Sequence, residues 1–273
     1  MHGSGPDEKM QVWKGSRNMK PLEIKHRVIG GGEPLICVPV VEQDAQSVIR
    51  EITYLSQSTA DMIEWRVDAF RDFTDYNAIR SVFEAVAPLL GEKLFLYTFR
   101  TAHQGGMAQV KAEQLDDLHD LAAESGCVDL VDLEFFEEDR PLHKIKRLRE
   151  MGVSVIASHH DFEQTPSPEV MKMLLEKMCA GGADIVKLAV MPQNYKDVLN
   201  LLDVTAQFRE ENPDTPVITM SMGSLGGISR ISGEMFGSCV TFGAHEKPSA
   251  PGQFAMKELR QMLDTIHASS QIQ

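Results

Sequence analysis

Residues 183–210 read ADIVKLAVMPQNYKDVLNLLDVTAQFRE. The first part, Ile185 to Val190, is a short apolar run of the kind that forms a parallel strand covered on both faces. The second, Tyr195 to Glu210, carries apolar residues at three- and four-residue spacing and reads as a helix. Together they make one βα unit. From residue 35 onward the same alternation recurs about eight times. Further strands are expected over Leu35 to Val41, Met62 to Val67, Leu94 to Phe99, Val128 to Leu133, Val153 to Ser158, Val217 to Met222 and Cys239 to Phe242. Helices are expected over stretches such as Gln43 to Ser56, Ala112 to Glu124 and Pro168 to Cys179. Eight such units in roughly 230 residues match a closed (β/α)8 TIM barrel, with a doubly wound open sheet as the alternative. The barrel is the reading favoured here. Leu22 to Ile29, followed by Gly30-Gly31-Gly32, reads as an N-terminal β-hairpin closing the bottom of the barrel. The expected division is a disordered extension over residues 1–20 and a single barrel domain over 21–273.

Bulk properties narrow the function. A formal charge of -13 argues against nucleic acid or an anionic membrane surface as partner, so an anionic ligand would need local arginines. Cys37, Cys127, Cys179 and Cys239 show no CxxC or short metal-ligand spacing and read as reduced, packed thiols. The first twenty residues lack the apolar stretch of a signal peptide, and no later run is long enough to span a membrane. A cytoplasmic protein is expected. Met10 and Met19 leave open where translation starts.

Lys187 is the sharpest signal, because lysine is seldom fully buried without a partner and its desolvated amine is a nucleophile toward carbonyls. In a (β/α)8 barrel, function collects at the C-terminal ends of the strands. Polar residues fall there repeatedly: Glu64-Trp-Arg66, Thr98-Phe-Arg100, Asp132-Leu-Glu134 and Ser158-His-His-Asp161. Strand alternation puts Glu64 with Arg66, and Asp132 with Glu134, on shared faces. Each pair has a plainer reading, as a structural ion pair at the rim or as the solvated end of a strand. His159-His160 has neither an HExxH pattern nor a cysteine cluster beside it, so no metal is expected. Phosphate loops of the GxGxxG or GxxxxGK type and the GxSxG elbow are absent from the sequence.

Taken together, Glu64-Trp-Arg-Val-Asp68, Tyr97-Thr-Phe-Arg100, Asp132-Leu-Glu134, His160-Asp-Phe162, Lys187-Leu-Ala-Val-Met-Pro-Gln193, Ile218-Thr-Met-Ser-Met222, Ile228-Ser-Arg230 and Ser249-Ala-Pro-Gly-Gln253 resemble the type I 3-dehydroquinate dehydratases. The likeness runs from about residue 22 to 268, in order and at similar spacing. It implies a (β/α)8 barrel, a homodimer, no metal or other cofactor, and removal of water from 3-dehydroquinate to give 3-dehydroshikimate, in the third step of the shikimate pathway. Position by position it implies Lys187 as the Schiff-base lysine, His160 as the catalytic histidine and Glu134 as its supporting carboxylate. It further implies Arg230 on the substrate carboxylate, Glu64, Arg66 and Arg100 in the substrate pocket, Met220 and Met222 lining it, and Ser249 and Gln253 on a closing loop. Two departures stand out. His159 occupies a place where many members have Asn or an aromatic residue, and Thr101 to Met107 lacks the acidic residues often seen around its Gly pair.

The chemistry implied makes demands of its own. An ordinary lysine, with a pKa of about 10.4, is almost wholly ammonium at neutral pH, so burial in an apolar strand is expected to lower that value. His160 is expected to shuttle protons, with Glu134 orienting its ring. Two alternatives remain open: a class I aldolase-like Schiff-base lyase, which would call for a phosphate loop after strands seven and eight, and a non-catalytic sensor of quinate-like ligands.

Overall fold

The computed structural model describes residues 22–271, so the expected extension over 1–20 lies outside the described residues. A hairpin of β1 (Leu22–Ile24) and β2 (Arg27–Ile29) comes first. Eight parallel strands follow: β3 (Leu35–Val40), β4 (Met62–Arg66), β5 (Leu94–Thr98), β6 (Leu130–Glu134), β7 (Ser154–Asp161), β8 (Ile185–Val190), β9 (Val217–Ser221) and β10 (Val240–Phe242). The helices are α1 (Ala45–Ser56), α2 (Tyr76–Val86), α3 (Ala112–Glu124), α4 (Pro141–Glu150), α5 (Pro168–Ala180), α6 (Tyr195–Glu211), α7 (Gly227–Ile231), α8 (Gly233–Phe236) and α9 (Met256–Ser270).

Strands β3 to β9 pair in sequence order and β10 pairs with β3. Between β9 and β10, Val217 bridges Ser238, and the Cys239 N–H donates to the Val217 carbonyl at 2.8 Å. That contact brings the two ends of the sheet together, which an open doubly wound sheet never does. The barrel expectation holds.

Local sequence explains the elements. Asp44 caps α1 by accepting from the Ser47 N–H at 2.9 Å, and Val48, Ile52 and Leu55 then fall on the buried face. Asn194 and Asp197 form a reciprocal capping box at the start of α6. Along β8 the side chains alternate: Val186, Leu188 and Val190 join the layer between barrel and helices, whereas Ile185 and Ala189 join the barrel interior with Met62, Leu94, Leu130, Ile156 and Ile218. Each large apolar side chain so buried contributes about 1.5–3 kcal/mol. The same alternation turns Lys187 inward.

The hairpin closes the N-terminal end of the barrel. Ile29 is fully buried in the interior cluster, with Leu22 and Ile24 packed against it. Lys25, at the turn, pairs with Asp129 at 2.8 Å, and Arg27 pairs with Asp61 at 3.1 Å. Both aspartates precede strands, so the hairpin sits opposite the strands' C-terminal mouth.

Most strands end within one residue of the expected bounds, and two differ by more. β6 starts at Leu130 instead of Val128, and β7 continues to Asp161 instead of stopping at Ser158. His159, His160 and Asp161 stay extended because Leu188, Ala189 and Val190 of β8 pair with them. The four cysteines are free thiols, and no helix among the described residues is long and apolar enough to cross a membrane.

Candidate active site

Inward-facing positions near the C-terminal ends of β4 to β8 carry the polar residues that the sequence singled out. Lys187 Nζ lies 3.0 Å from Asp132 Oδ2 and 4.5 Å from the centre of the Phe242 ring. Asp132 Oδ1 accepts from Arg100 Nη2 at 2.7 Å and from Ser158 Oγ at 2.5 Å. Arg100 Nη1 reaches Glu134 Oε1 at 2.9 Å and Ser158 Oγ at 3.1 Å. Two cations and two carboxylates, each buried, therefore form one connected and balanced cluster. Buried charges persist only when paired and hydrogen-bonded in this way. Burial pushes the Asp132 carboxyl up, but Arg100, then Lys187 and His160, outweigh it and hold the group well below the usual carboxylate range.

The lysine is thus not the solitary amine in an apolar strand that the sequence suggested. Its carboxylate partner is 55 residues away, and the two meet on the inner face across the one strand, β7, that lies between β6 and β8.

His160 lies one inward step further along the neighbouring strand, since Ser158 pairs with Lys187 and His160 with Ala189. Here the expected role of Glu134 needs correction. The two Glu134 oxygens accept from Arg100 Nη1, the Thr101 N–H at 2.9 Å and Thr101 Oγ1 at 2.7 Å. The imidazole is met instead by Gln104, whose Oε1 lies 3.1 Å from Nδ1 and 2.9 Å from the His160 backbone nitrogen. Burial lowers the His160 pKa well below the ordinary histidine value, the Arg100 and Lys187 charges push the same way, and Asp132 opposes them.

Gln104 reaches this position on a tight turn. Ala102–Gln104 is a single 3-10 turn whose Gln104 and Gly106 amides both return to the Thr101 carbonyl. A Cβ on Gly106 would stand 1.8 Å from the Arg100 carbonyl oxygen, and one on Gly105 would stand 2.4 Å from the Phe162 ring. The glycine pair is what lets the chain fold this closely.

A cavity of about 450 Å³, counted with its open mouth, lies above the cluster. Of the expected residues, Glu64, Arg66, Arg100, His160, Lys187, Met220, Met222, Ser249 and Gln253 line it, joined by Gln104, Phe162 and Phe242. Thr98 Oγ1 donates to Glu64 Oε1 at 2.8 Å. Arg66 makes a bidentate pair with Asp68, at 2.8 Å for both bonds, while lining the cavity, so the structural and binding readings of this residue coexist.

Arg230 is almost fully buried and is not among the lining residues. Its Nη2 donates to the Pro251 carbonyl at 2.9 Å, while Nε and Nη1 have no partner among the described residues. Burial lowers its pKa to about 10. Pro251 belongs to the loop on which the Ser249 N–H donates to Gln253 Oε1 at 2.8 Å and Gln253 Nε2 donates to Ser249 Oγ at 3.0 Å. Gly252 holds a left-handed φ of 78° there, and a Cβ on it would lie 2.3 Å from the Gly223 carbonyl oxygen. The loop is therefore pressed onto the segment that follows β9. Among the described residues, no group of three or more His, Cys, Asp or Glu is placed to hold a metal ion.

Sequence reading missed Asp132 as the lysine's partner and missed Gln104 altogether. The Thr101 to Met107 segment had drawn attention only by lacking acidic residues.

Comparison with known proteins agrees with this geometry. The family model described as type I 3-dehydroquinase matches residues 36–270. A 3-dehydroquinate dehydratase of Syntrophotalea carbinolica is 41% identical over 91% of this chain and 99% of its own. One of Listeria monocytogenes serotype 4a is 42% identical over the same shares. The crystal structure of the type I enzyme of Clostridium difficile with covalently modified comenic acid superposes with a TM-score of 0.88 at 38% identity, covering 92% of this chain and 99% of that one. That of the Geobacillus kaustophilus 3-dehydroquinate dehydratase superposes with a TM-score of 0.89 at 35% identity, covering 92% and 98%. A (β/α)8 barrel with a lysine, a histidine and an ion-paired arginine at one mouth, matched over nearly its whole length by such relatives, belongs to the type I 3-dehydroquinase family.

Proposed function

We propose that Lys187 forms a Schiff base with the C3 ketone of 3-dehydroquinate and that water then leaves to give 3-dehydroshikimate. The observation that carries this reading is the buried Lys187 Nζ, at the floor of the cavity, held against Asp132 with His160 on the adjacent strand. Removing a proton next to a ketone is slow without an electron sink. An iminium supplies one: it acidifies the C2 protons and stores the released electron pair as an enamine, which expels the C1 hydroxyl.

Asp132 suits the charged intermediate. The Lys187 amine, once it has given up a proton, adds to the ketone carbon, and water leaves the carbinolamine to form the iminium. That iminium places one positive charge at Nζ, where the carboxylate stands at 3.0 Å. His160, kept neutral by its surroundings, accepts the C2 proton and returns a proton to the departing hydroxyl. A single imidazole serving both transfers predicts loss of proton and hydroxyl from the same face. The imine is then hydrolysed and the amine restored.

Arg230 binds the substrate carboxylate through the guanidinium atoms that the protein leaves unpartnered. Glu64 and Arg100 present polar groups to the ring hydroxyls, Met220 and Met222 pack against its carbons, and the Ser249 to Gln253 loop excludes water that would hydrolyse the imine early. A cytoplasmic homodimer completes the reading, supported by the family resemblance.

Product formation tests the proposal through the absorbance of the conjugated enone in 3-dehydroshikimate. The purified protein is expected to turn 3-dehydroquinate over, and Lys187→Met to form no product while keeping the parental circular dichroism. A folded Lys187→Met protein working at the parental rate would refute it.

A further inference from the structure

The buried cations among the described residues are Arg66, Arg100, Lys187 and Arg230. Arg66 pairs with Asp68, Arg100 with Asp132 and Glu134, and Lys187 with Asp132. Arg230 pairs with no carboxylate among the described residues, and its Nε and Nη1 are buried without a partner. A buried, unpaired charge is costly, and an arginine stem is long enough to carry its guanidinium out to water. Something in the fold must hold this one inside.

Arg230 stands on α7, a helix of five residues, which is too short to keep its shape through its own hydrogen bonds. Two hydroxyls tether it. Ser229 Oγ accepts from the Ser221 N–H at the end of β9 at 2.9 Å and donates to the Gly226 carbonyl at 2.7 Å. These bonds fold the turn after β9 back onto the strand, so closely that a Cβ on Gly226 would lie 1.9 Å from the Ser221 carbonyl oxygen. On β10, Val240 and Phe242 face the barrel interior, so Thr241 faces outward, toward α7. Its Oγ1 donates to the Arg230 carbonyl at 2.7 Å, and the last carbonyls of a helix need such outside partners. Ser229 and Thr241 are buried, and neither lines the cavity. The remaining hold, Arg230 Nη2 on the Pro251 carbonyl, comes from the loop read above as closing over the ligand.

We propose that Ser229 and Thr241 are positioning residues, which fix the Arg230 backbone from β9 and β10 so that its unpaired guanidinium stands ready for the carboxylate of the ligand. The inference rests on the reading of Arg230 as the carboxylate binder. Burial of the cation is enforced by the fold before the ligand arrives, and the ligand then supplies the missing counter-charge to a group that does not have to be ordered first.

The test joins ¹⁵N NMR of arginine-labelled protein, in which Arg230→Lys identifies the Arg230 Nε–H signal, with calorimetric titration of two ligands. Quinate carries the carboxylate but no ketone for Lys187, and quinamide is the same ring with a neutral amide in its place. The parent is expected to prefer quinate. Ser229→Ala and Thr241→Val are each expected to shift the Arg230 signal and to weaken quinate by roughly 2- to 12-fold, the range of one net hydrogen bond, while quinamide changes little. Thr241→Val keeps the side-chain shape, so it carries the test even if Ser229→Ala does not fold, and Thr241→Ser is expected to match the parent. An Arg230 signal unmoved in Thr241→Val overturns the proposal whatever the ligands do. A parent that prefers quinate, with both ligands weakened equally in the variants, makes the hydroxyls supports of the fold alone and also overturns it. A parent that binds the two ligands alike, with the Arg230 signal shifted in the variants, refutes the carboxylate reading and leaves the positioning of Arg230 standing.

Discussion

Asp132→Asn perturbs the site at its electrostatic centre while changing almost no volume. Asp132 and Glu134 balance Arg100 and Lys187 in a cluster whose side chains are at most 4% exposed. Asparagine keeps an acceptor for Arg100 and Ser158 but puts an N–H donor where Oδ2 stood 3.0 Å from Nζ. One buried cation loses its counter-charge and two donors face each other. Removing one partner from a buried ion pair costs about 3–5 kcal/mol. At roughly 2–4 °C per kcal/mol for a chain of this size, the melting temperature should fall by about 6–20 °C. Urea unfolding at neutral pH, with the slope unchanged between parent and variant, measures the difference directly. Turnover should also fall sharply, because the iminium would form without the carboxylate beside it. A stability loss below about 1 kcal/mol, with turnover intact, would refute the claim that this carboxylate balances the buried cations.

Arg230→Ala should chiefly raise KM. Loss of charged hydrogen bonds worth about 1.5–3 kcal/mol corresponds to roughly 10- to 150-fold in kcat/KM, and an unchanged KM in steady-state assays would exclude the carboxylate-binding role. His119 is buried in α3 with neither ring nitrogen partnered among the described residues, and burial, then the Lys144 charge, lower its pKa to about 4. The unfolded chain takes up this proton near pH 6.5 and the folded chain only near 4, so the folded state loses about 3 kcal/mol as pH falls through that window. His119→Leu should flatten the fall in urea stability between pH 7.5 and 4.5 by about that amount, and parallel pH profiles for parent and variant would contradict it.

The elements were legible because their periods are strong. The helix over Ala112–Glu124 and the strand over Ile185–Val190 match the sequence reading residue for residue. Lys187 was legible as inward-facing for the same reason, since strand alternation and a buried run leave it no other face. The end of β7 was not, because His159-His160-Asp161 looks like a loop until β8 is known to pair with it. Strand alternation puts Asp132 on one face with Glu134 but says nothing of its partner, because the Lys187 contact reaches over the intervening β7. Gln104 was invisible for a related reason: it acts on a histidine 56 residues away through a turn whose geometry rests on two glycines.

The central claim is a covalent bond at one nitrogen. Incubation with 3-dehydroquinate, reduction with borohydride and peptide mapping by mass spectrometry should place a reduced adduct on Lys187 and on no other lysine, with activity lost in proportion to labelling. Full turnover accompanied by no adduct, or by an adduct at another lysine, would contradict the account.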